Sequence, residues 1–465
     1  MMNKLFLIYF LLISFTQAKD ILSEDMVLIS SMKHYPKILE ALKNVEAAKM
    51  SVQESLGGFD AKLKSKADYR DRGYYDGKSV DVVIEKPLPY MNSKVYLGHK
   101  RSDGDFPTYE QKRLTLDSGE NRMGIAFSLW QDRDIDPVRL KLRINKLKLT
   151  NEEMKVLRSQ VDVKQKATKA YWKWVAYGNI YSVLKDLLEI ALEREKGLIK
   201  RIKQGDLAAI YKTENQKYIL KRKTQVIEAR QSFLDATLSL SLFLRDEKGN
   251  PLIASEKLLP SELPDEKKIS QEALNKAKKH ALEINPDLIT LDNKIKEQQL
   301  QESFGQNMLK PRVDLHLEVS NDRGDGSKSL KGQENRGFLK IEIPLERRKG
   351  RGIRNKARYM QQSLALKRRL LREQTEVQMQ QTLYKLNAAV ETIQNTKQEV
   401  EFAEILQKAE INKFKNGASD FFVVNIREED TANAKVKNIK AHLDYKISLA
   451  NYEAITLASL QPVDN

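Results

Sequence analysis

Few side chains in this sequence are spaced to do chemistry. Five histidines, His34, His99, His280, His316 and His442, are scattered, and no two stand at a metal-ligand spacing. There is no cysteine, which removes disulfide frameworks, thiolate metal sites, cysteine nucleophiles and lipid attachment through an N-terminal Cys. No phosphate-binding glycine loop, nucleophile elbow or HExxH sequence occurs. Asp322-Arg323-Gly324-Asp325-Gly326 has the look of a calcium loop but lacks its regular ligand positions and closing Glu, and reads better as a surface loop between strands. The residues nominate no catalytic, metal or cofactor site. The chain is not expected to be an enzyme.

What the residue types describe instead is a long, charged, helical scaffold. Lys and Arg number 81 against 64 Asp and Glu, a formal net charge of +17, and charged residues make up 31% of the chain. Glycine and proline together are 32 of 465 residues, about 7% where about 12% is usual, so few breakers interrupt the helices. Basic runs at Arg347-Arg348-Lys349-Gly350-Arg351 and Lys367-Arg368-Arg369 suit nucleic acid by charge alone. The start of the chain argues against that. Lys4 is followed by the apolar run Leu5 to Phe15 and then Thr16-Gln17-Ala18, the layout of a secretory signal peptide over 1–18. That run is shorter than the about 20 residues of a membrane span, and no second apolar run is long enough either. A membrane location would therefore require a closed barrel.

The placement of the breakers shows the architecture. No proline occurs from Val138 to Asn250 or from Leu345 to Gln461, while 15 of the 20 glycines lie in two windows, Gly57 to Gly124 and Gly305 to Gly352. A short helical lead, a glycine-rich patch and a long breaker-free run thus occur twice. Arg201-Ile202-Lys203-Gln204-Gly205 matches Lys413-Phe414-Lys415-Asn416-Gly417 at an offset of 212, and Phe233 falls on Tyr445 at the same offset. Tyr35-Pro36 matches Asn285-Pro286 at an offset of 250, so the first glycine window carries an insertion of 38 residues. The expected organisation is a first repeat over 19–250, with strands in about 59–130 and a helical hairpin over about 137–250. A linker follows at 251–265. The second repeat covers 266–465, with strands in about 311–345 and a hairpin over about 350–460.

Each long run carries a heptad-like seam. It passes through Ala167, Tyr171, Trp174, Gly178, Tyr181, Leu184, Leu188, Ala191, Glu195, Leu198 and Ile202 in the first, and Met379, Leu383, Leu386, Val390, Ile393, Lys397 and Val400 in the second. Gly205 and Gly417 stand where each hairpin must reverse, as a glycine just past a helix end should. The glycine windows instead alternate with period two. Leu63, Ser65, Ala67 and Tyr69 interleave with Lys62, Lys64, Lys66, Asp68 and Arg70. Val313, Leu315, Leu317 and Val319 interleave with Arg312, Asp314, His316 and Glu318, and Leu339, Ile341 and Ile343 with Lys340 and Glu342. Strands between lipid and a wet lumen read this way, and so does a soluble sheet with one solvated face.

In this order the residues resemble the outer-membrane factor family, the TolC-like efflux and secretion channels of Gram-negative bacteria. The resemblance rests on Tyr35-Pro36 with Ala41, Asn44 and Ala47-Ala48 behind it, on Gly119-Glu120, Leu129, Asp132-Arg133 and Ile135-Asp136, and on Phe414-Lys415-Asn416-Gly417 followed by Asp444-Tyr445. It implies an α+β membrane protein with a two-fold internal repeat. Long antiparallel coiled-coil hairpins would form a periplasmic tunnel and β-strands a transmembrane barrel, both completed by trimerisation. It further implies a passive outer-membrane conduit of an efflux or type I secretion system. Such a homotrimer docks a periplasmic adaptor and an inner-membrane pump of the RND, ABC or MFS type, sits in outer-membrane lipid and binds no nucleic acid. Cargo and pump class are not written in the sequence. An exported coiled-coil tether of the envelope without a channel is the competing reading.

The resemblance also nominates sites. The hairpin tips, Gly205, Asp206 and Leu207 with Gly417, Ala418 and Ser419, are the expected adaptor dock. Members with an electrostatic gate carry aspartates six and nine residues after the second tip glycine. Here those places are Val423 and Ile426. The expected periplasmic aperture therefore comprises Asp420, Phe421, Val423, Ile426 and Arg427, with an apolar ring and a carboxylate ring from Asp420 or Glu428 as the two ways to close it. Family protomers usually contribute four strands. Alternating pieces at 80–86 and 94–101, separated by Pro87-Leu88-Pro89, either add a pair to the barrel or lie outside it.

Overall fold

The computed structural model describes residues 21–260, 263 and 265–458. The expected signal peptide at 1–18 lies outside them, as do 261, 262 and 264 of the expected linker. The element order runs through one cycle and then repeats it. The first cycle is α1 (Glu24–His34), α2 (Pro36–Leu56), β1 (Lys62–Arg70), β2 (Gly77–Pro87), β3 (Lys94–Gly104), β4 (Gly119–Ser128), α3 (Pro137–Lys203) and α4 (Ile210–Ser241). The second is α5 (Gln271–Ile284), α6 (Pro286–Asn307), β5 (Arg312–Arg323), β6 (Gly332–Glu342), α7 (Arg348–Lys415) and α8 (Phe421–Thr456). Both helical leads break before a proline at the first helical position. In the second, the Asn285 side chain accepts from the backbone N–H groups of Asp287 and Leu288, which caps α6.

Two compact units emerge. One is drawn from 1–39, 159–283 and 375–465, the other from 40–158 and 284–374, so each unit takes segments from both repeats.

The strand-bearing unit holds one six-stranded antiparallel sheet in the order β1-β2-β3-β4-β5-β6. The insertion in the first window is thereby placed: β2 and β3 pair with each other and stand between β1 and β4. The ladder carries Leu63 onto Ile84, Leu97, Met123 and Val319 in turn, so one face is a continuous apolar row, joined by Val95, Ile125 and Leu317 on the next row. The opposite face is charged and internally paired. Glu85 accepts from Lys64 at 3.0 Å and Lys94 at 2.8 Å, Asp81 meets Arg122 at 2.6 Å, and the Tyr96 hydroxyl donates to Glu318 at 2.6 Å. The Tyr96 ring crosses β4 at Gly124, where any Cβ would lie 2.4 Å from the ring. That position accepts no other residue without moving the tyrosine.

The exit from β4 is fixed by a buried polar knot. The Asp136 carboxylate caps α3, accepting from the N–H groups of Val138 at 2.8 Å and Arg139 at 3.0 Å, and it also receives the Arg139 guanidinium. Asn307 donates to the Asp132 carboxylate at 3.0 Å and to the Ile135 carbonyl at 2.9 Å. Burial pushes the Asp132 carboxyl above its ordinary range, with nearby Arg312 and the Asn307 hydrogen bond opposing it. Ile135, Leu140 and Ile144 pack beneath, against Leu300 and Phe304.

The other unit has two apolar clusters. The first joins α1, α3 and α4 through Val27, Ala167, Trp174, Val175, Phe233 and Leu240. The second joins α5, α7 and α8 through Leu274, Met379, Leu386, Ile393, Ala441 and Tyr445. Phe233 and Tyr445, equivalent at the repeat offset, are each buried in their own cluster. Ala191 and Leu198 of the first seam are buried as expected, with one local departure before them. Leu187 is the buried residue where the heptad names Leu188, which is half-buried. α4 leaves Leu220, Ile227 and Leu234 exposed, and α7 leaves Val377, Tyr384 and Ile405 exposed; Leu220, Ile227 and Leu234 are spaced by seven, as are Val377 and Tyr384.

Candidate functional site

The two hairpin reversals are built alike. After α3, the N–H of Gly205 bonds the Ile202 carbonyl and the N–H of Asp206 reaches back to Arg201; after α7, Gly417 bonds Phe414 and Ala418 reaches back to Lys413. Both glycines take left-handed φ, +82° and +75°, and nothing lies within 4 Å of where a Cβ would stand. These are helix stops in which an otherwise orphaned carbonyl is satisfied from beyond the glycine. Gly205, Asp206, Gly417 and Ala418 are exposed, while Leu207 and Ser419 are half-buried, with the Ser419 hydroxyl donating to Glu410.

α8 then starts at a true cap: the Asp420 carboxylate accepts from the N–H of Phe422 at 3.1 Å. The four residues that follow are divided by the helix, which turns about 100° per residue. Phe421 points inward and is only 2% exposed, with its ring centroid 6.2 Å from Tyr211 and 6.4 Å from Phe414. Val424 is buried beside it, Val423 is half-buried, and Phe422 and Ile426 are exposed. Arg427 lies 3.8 Å from Asp430 on the same helix. Of the expected aperture residues, then, Val423 and Ile426 retain apolar surface, Asp420 caps α8 while staying exposed, and Phe421 is a packing residue.

Behind this surface lies a group that nothing in the sequence pattern announces. Glu428, 2% exposed, is held by the guanidinium groups of Arg194 on α3 and Arg222 on α4; the latter contact is 3.2 Å. Asn425 accepts from Arg194 at 2.8 Å, and Arg222 also donates to the Leu187 carbonyl at 2.9 Å. The Arg194 guanidinium lies 5.5 Å from the Phe421 ring centroid. Burial pulls the Arg222 guanidinium below the ordinary arginine value, and Glu428 opposes that shift. In the sequence Glu428 reads as a candidate carboxylate of the aperture, and Arg194 and Arg222 have no role beyond a charged helix surface. Instead they pin the second hairpin to both helices of the first.

The sheet has its own unforeseen feature. Between β3 and β4, residues 105–118 turn back over the charged face. Lys100 donates to the Lys112 carbonyl, the N–H of Ser102 to the Thr115 hydroxyl at 2.9 Å, and the N–H of Leu116 to Asp322 at 3.0 Å; Arg113 pairs with Asp68 at 3.2 Å. Asp68, Lys100, Ser102 and Asp322 all belong to the charged face, so this strap runs across it from β1 to β5.

Among the described residues no helix is long and apolar enough to cross a membrane. The two-faced sheet, with one apolar and one charged surface and, among the described residues, an open outer edge on β1 and on β6, together with paired helical hairpins in a duplicated order, decides the fold. It is that of the outer-membrane factor channels. No family model matches the chain, and no curated protein matches it. Solved structures do. The outer-membrane channel OprN superposes with a TM-score of 0.68 at 13% identity, covering 94% of this chain and 91% of that one. CusC, described for its transmembrane channel formation, gives 0.64 at 10% identity over 96% and 95%. The Campylobacter jejuni CmeC outer-membrane channel gives 0.63 at 13% identity over 93% and 85%. The outer-membrane factor fold thus spans nearly the whole chain, while the side chains that fill it are this chain's own.

Proposed function

We propose that this protein is an outer-membrane channel of a Gram-negative bacterium and serves as the passive outlet of a tripartite efflux or type I secretion system. The observation that carries the reading is the six-stranded sheet with one apolar and one charged face and no partner at either edge. Such a sheet is stable in lipid only when copies close it into a barrel, apolar side outward. The OprN, CusC and CmeC likenesses support that reading over more than nine-tenths of the chain. In it the protein is a homotrimer with a large periplasmic portion. The helical hairpins form the conduit, and the tips at Gly205, Asp206, Leu207, Gly417, Ala418 and Ser419 meet a periplasmic adaptor that joins it to an inner-membrane pump. The aperture lies on α8, where Val423 and Ile426 occupy the gate positions. No step of chemistry is assigned to it.

The test is physical. The mature protein, extracted from outer membranes in mild detergent, is expected to migrate as a trimer and to form ion-conducting pores in planar bilayers. Recovery as a soluble periplasmic monomer would overturn the channel and favour the envelope tether.

A further inference from the structure

The sheet has six strands per protomer rather than the four usual in the family it resembles, and both outer strands are open. β6 is exposed along its entire length and β1 along most of it. We propose that three copies close an eighteen-stranded barrel, β6 of each copy pairing with β1 of the next in one register: Lys62 opposite Glu342 and Arg70 opposite Glu334. This rests on the trimeric channel proposed above and adds to it the strand number, the seam and its register.

Three constraints select the seam. First, polarity: with an even strand count per copy, β6 and β1 of neighbours run antiparallel, as every pair in the sheet does. Second, face: the apolar residues Leu63 and Tyr69 of β1 must share a side with Leu339 and Ile341 of β6, which permits only registers two residues apart, since a one-residue slip exchanges the faces. Third, charge. In the proposed register three opposite-charge pairs oppose one another, Lys62 with Glu342, Asp68 with Arg336 and Arg70 with Glu334, against one like pair, Lys64 with Lys340. Slipping two residues one way sets Lys62 against Lys340, Lys66 against Arg336 and Asp68 against Glu334. Slipping the other way gains Lys64 against Glu342 but sets Lys66 against Lys340 and Arg70 against Arg336, one opposite-charge pair against two like pairs. Like charges directly opposite are destabilising. The proposed register also gives all nine β1 residues a partner within β6, whereas the slip that sets Lys66 against Lys340 carries Lys62 past the end of β6.

Barrel geometry gives an independent check. Following the ladder from Leu63 through Ile84, Leu97, Met123 and Val319 arrives at Asn335. The proposed seam sets Asn335 opposite Tyr69 of the next copy, a displacement of six residues per copy, and therefore about eighteen around a ring of about eighteen strands. Strand tilt follows the ratio of shear to strand number. A ratio of one gives about 36°, as in eight-stranded barrels of shear eight, and this lies within the 35–45° of membrane barrels. At about 4.8 Å between strands and that tilt, the ring is about 34 Å across its backbone, where twelve strands would give about 23 Å. The inserted β2–β3 hairpin thus roughly doubles the cross-section, leaving room for the strap at 105–118 on the charged face.

The native absence of cysteine makes the seam directly testable. Ser65→Cys and Leu339→Cys on one chain stand directly opposite each other across the proposed seam and nowhere near each other within a protomer's ladder. A short thiol-specific crosslinker applied to outer membranes is expected to yield covalent dimers and trimers from the double variant and only monomers from either single one. Ser65→Cys with Ile341→Cys, one slip away, is expected to link several-fold less. Efficient linking of the slipped pair would overturn the register, and covalent dimers as the largest species would overturn the strand number. A trimer in native electrophoresis that never links at this seam would overturn the pairing while leaving the channel reading intact; a protein absent from the membrane would instead sink that reading. If the double variant does not assemble, electron cryomicroscopy of the unaltered trimer decides: eighteen strands are expected, and twelve refute the proposal.

Discussion

Arg222 of α4 faces Glu428 of α8 at 3.2 Å with both side chains almost wholly buried, an ion pair that ties one hairpin to the other. Arg194 completes it from α3, so Glu428 serves two cations and cannot be removed quietly. Taking away the carboxylate leaves Arg222 a buried charge with only the Leu187 carbonyl and Asn425 to receive it, and breaking a buried pair from one side costs about 3–5 kcal/mol. Glu428→Ala is expected to lower the apparent melting midpoint of the detergent-solubilised protein by many degrees. Arg194→Met and Arg222→Met combined with Glu428→Leu are expected to recover most of the loss, because packed apolar residues replace a buried ion cluster at little cost. If the triple variant melts no higher than Glu428→Ala alone, the cluster is not what holds these helices together.

The tips give a second expectation. Gly205 and Gly417 adopt left-handed φ in open space, so a larger residue there meets strain from the backbone alone, about 1–2 kcal/mol for a β-carbon. Gly417→Val should fray the end of α7 and speed tryptic cleavage after Lys413 and Lys415, while Gly417→Asn, tolerant of that conformation, should behave nearly as the parent. Cysteines at Asp206 and Ala418 are expected to crosslink to the periplasmic adaptor in intact cells. Crosslinks that instead concentrate at the 251–260 segment would remove the tips as the dock.

The strap at 105–118 is held to the charged face by Arg113 on Asp68 and by Leu116, which is 1% exposed. If that face lines the outlet, the strap narrows it from the strand end. Replacing 107–114 by a short Gly-Ser turn should let larger neutral polymers, added from that side of a planar bilayer, enter and reduce the current. An unchanged size cut-off would mean the strap does not narrow the outlet.

Period-two alternation located the strands because each side chain's environment depends on its own neighbours on the pleat. Val313 to Val319 reads correctly without knowing what it pairs with. Membership of β2 and β3 in the sheet was not readable, since the partner of Val80 or Tyr96 is a tertiary fact. The repeat offset identified both tip glycines, because a helix reversal leaves a local signature. The pairing of Glu428 with Arg222 left none: Glu428 stood out only as a candidate aperture carboxylate, since on a coiled coil a charge is expected to face water, and only the crossing of three helices buries these. Phe421 and Phe422 are adjacent in sequence yet lie on different sides of α8, so a run of four apolar residues could not say which would be exposed.

That division sharpens what closes the aperture. Glu428 is enclosed by two arginines and offers no free carboxylate in this conformation, while Asp420 caps α8 with one carboxylate oxygen and stays exposed, so it is the one carboxylate of the two left to compete with an apolar ring. Val423 and Ile426, at the positions the resemblance nominates for a gate, have apolar surface to offer, half-buried and exposed respectively. Water confined in a narrow apolar ring gives up hydrogen bonds, so such a ring resists ions without any fixed charge. Val423→Asp is therefore expected to wet the constriction, raise single-channel conductance several-fold and confer block by multivalent cations, three carboxylates then facing one axis. The competing carboxylate ring is tested with Asp420→Asn, which keeps a capping side chain and removes the charge, so that lost capping is not mistaken for lost gating. The parent channel should show no multivalent-cation block for this variant to abolish. Block in the parent that disappears with Asp420→Asn would make Asp420 the gate and the apolar ring a bystander.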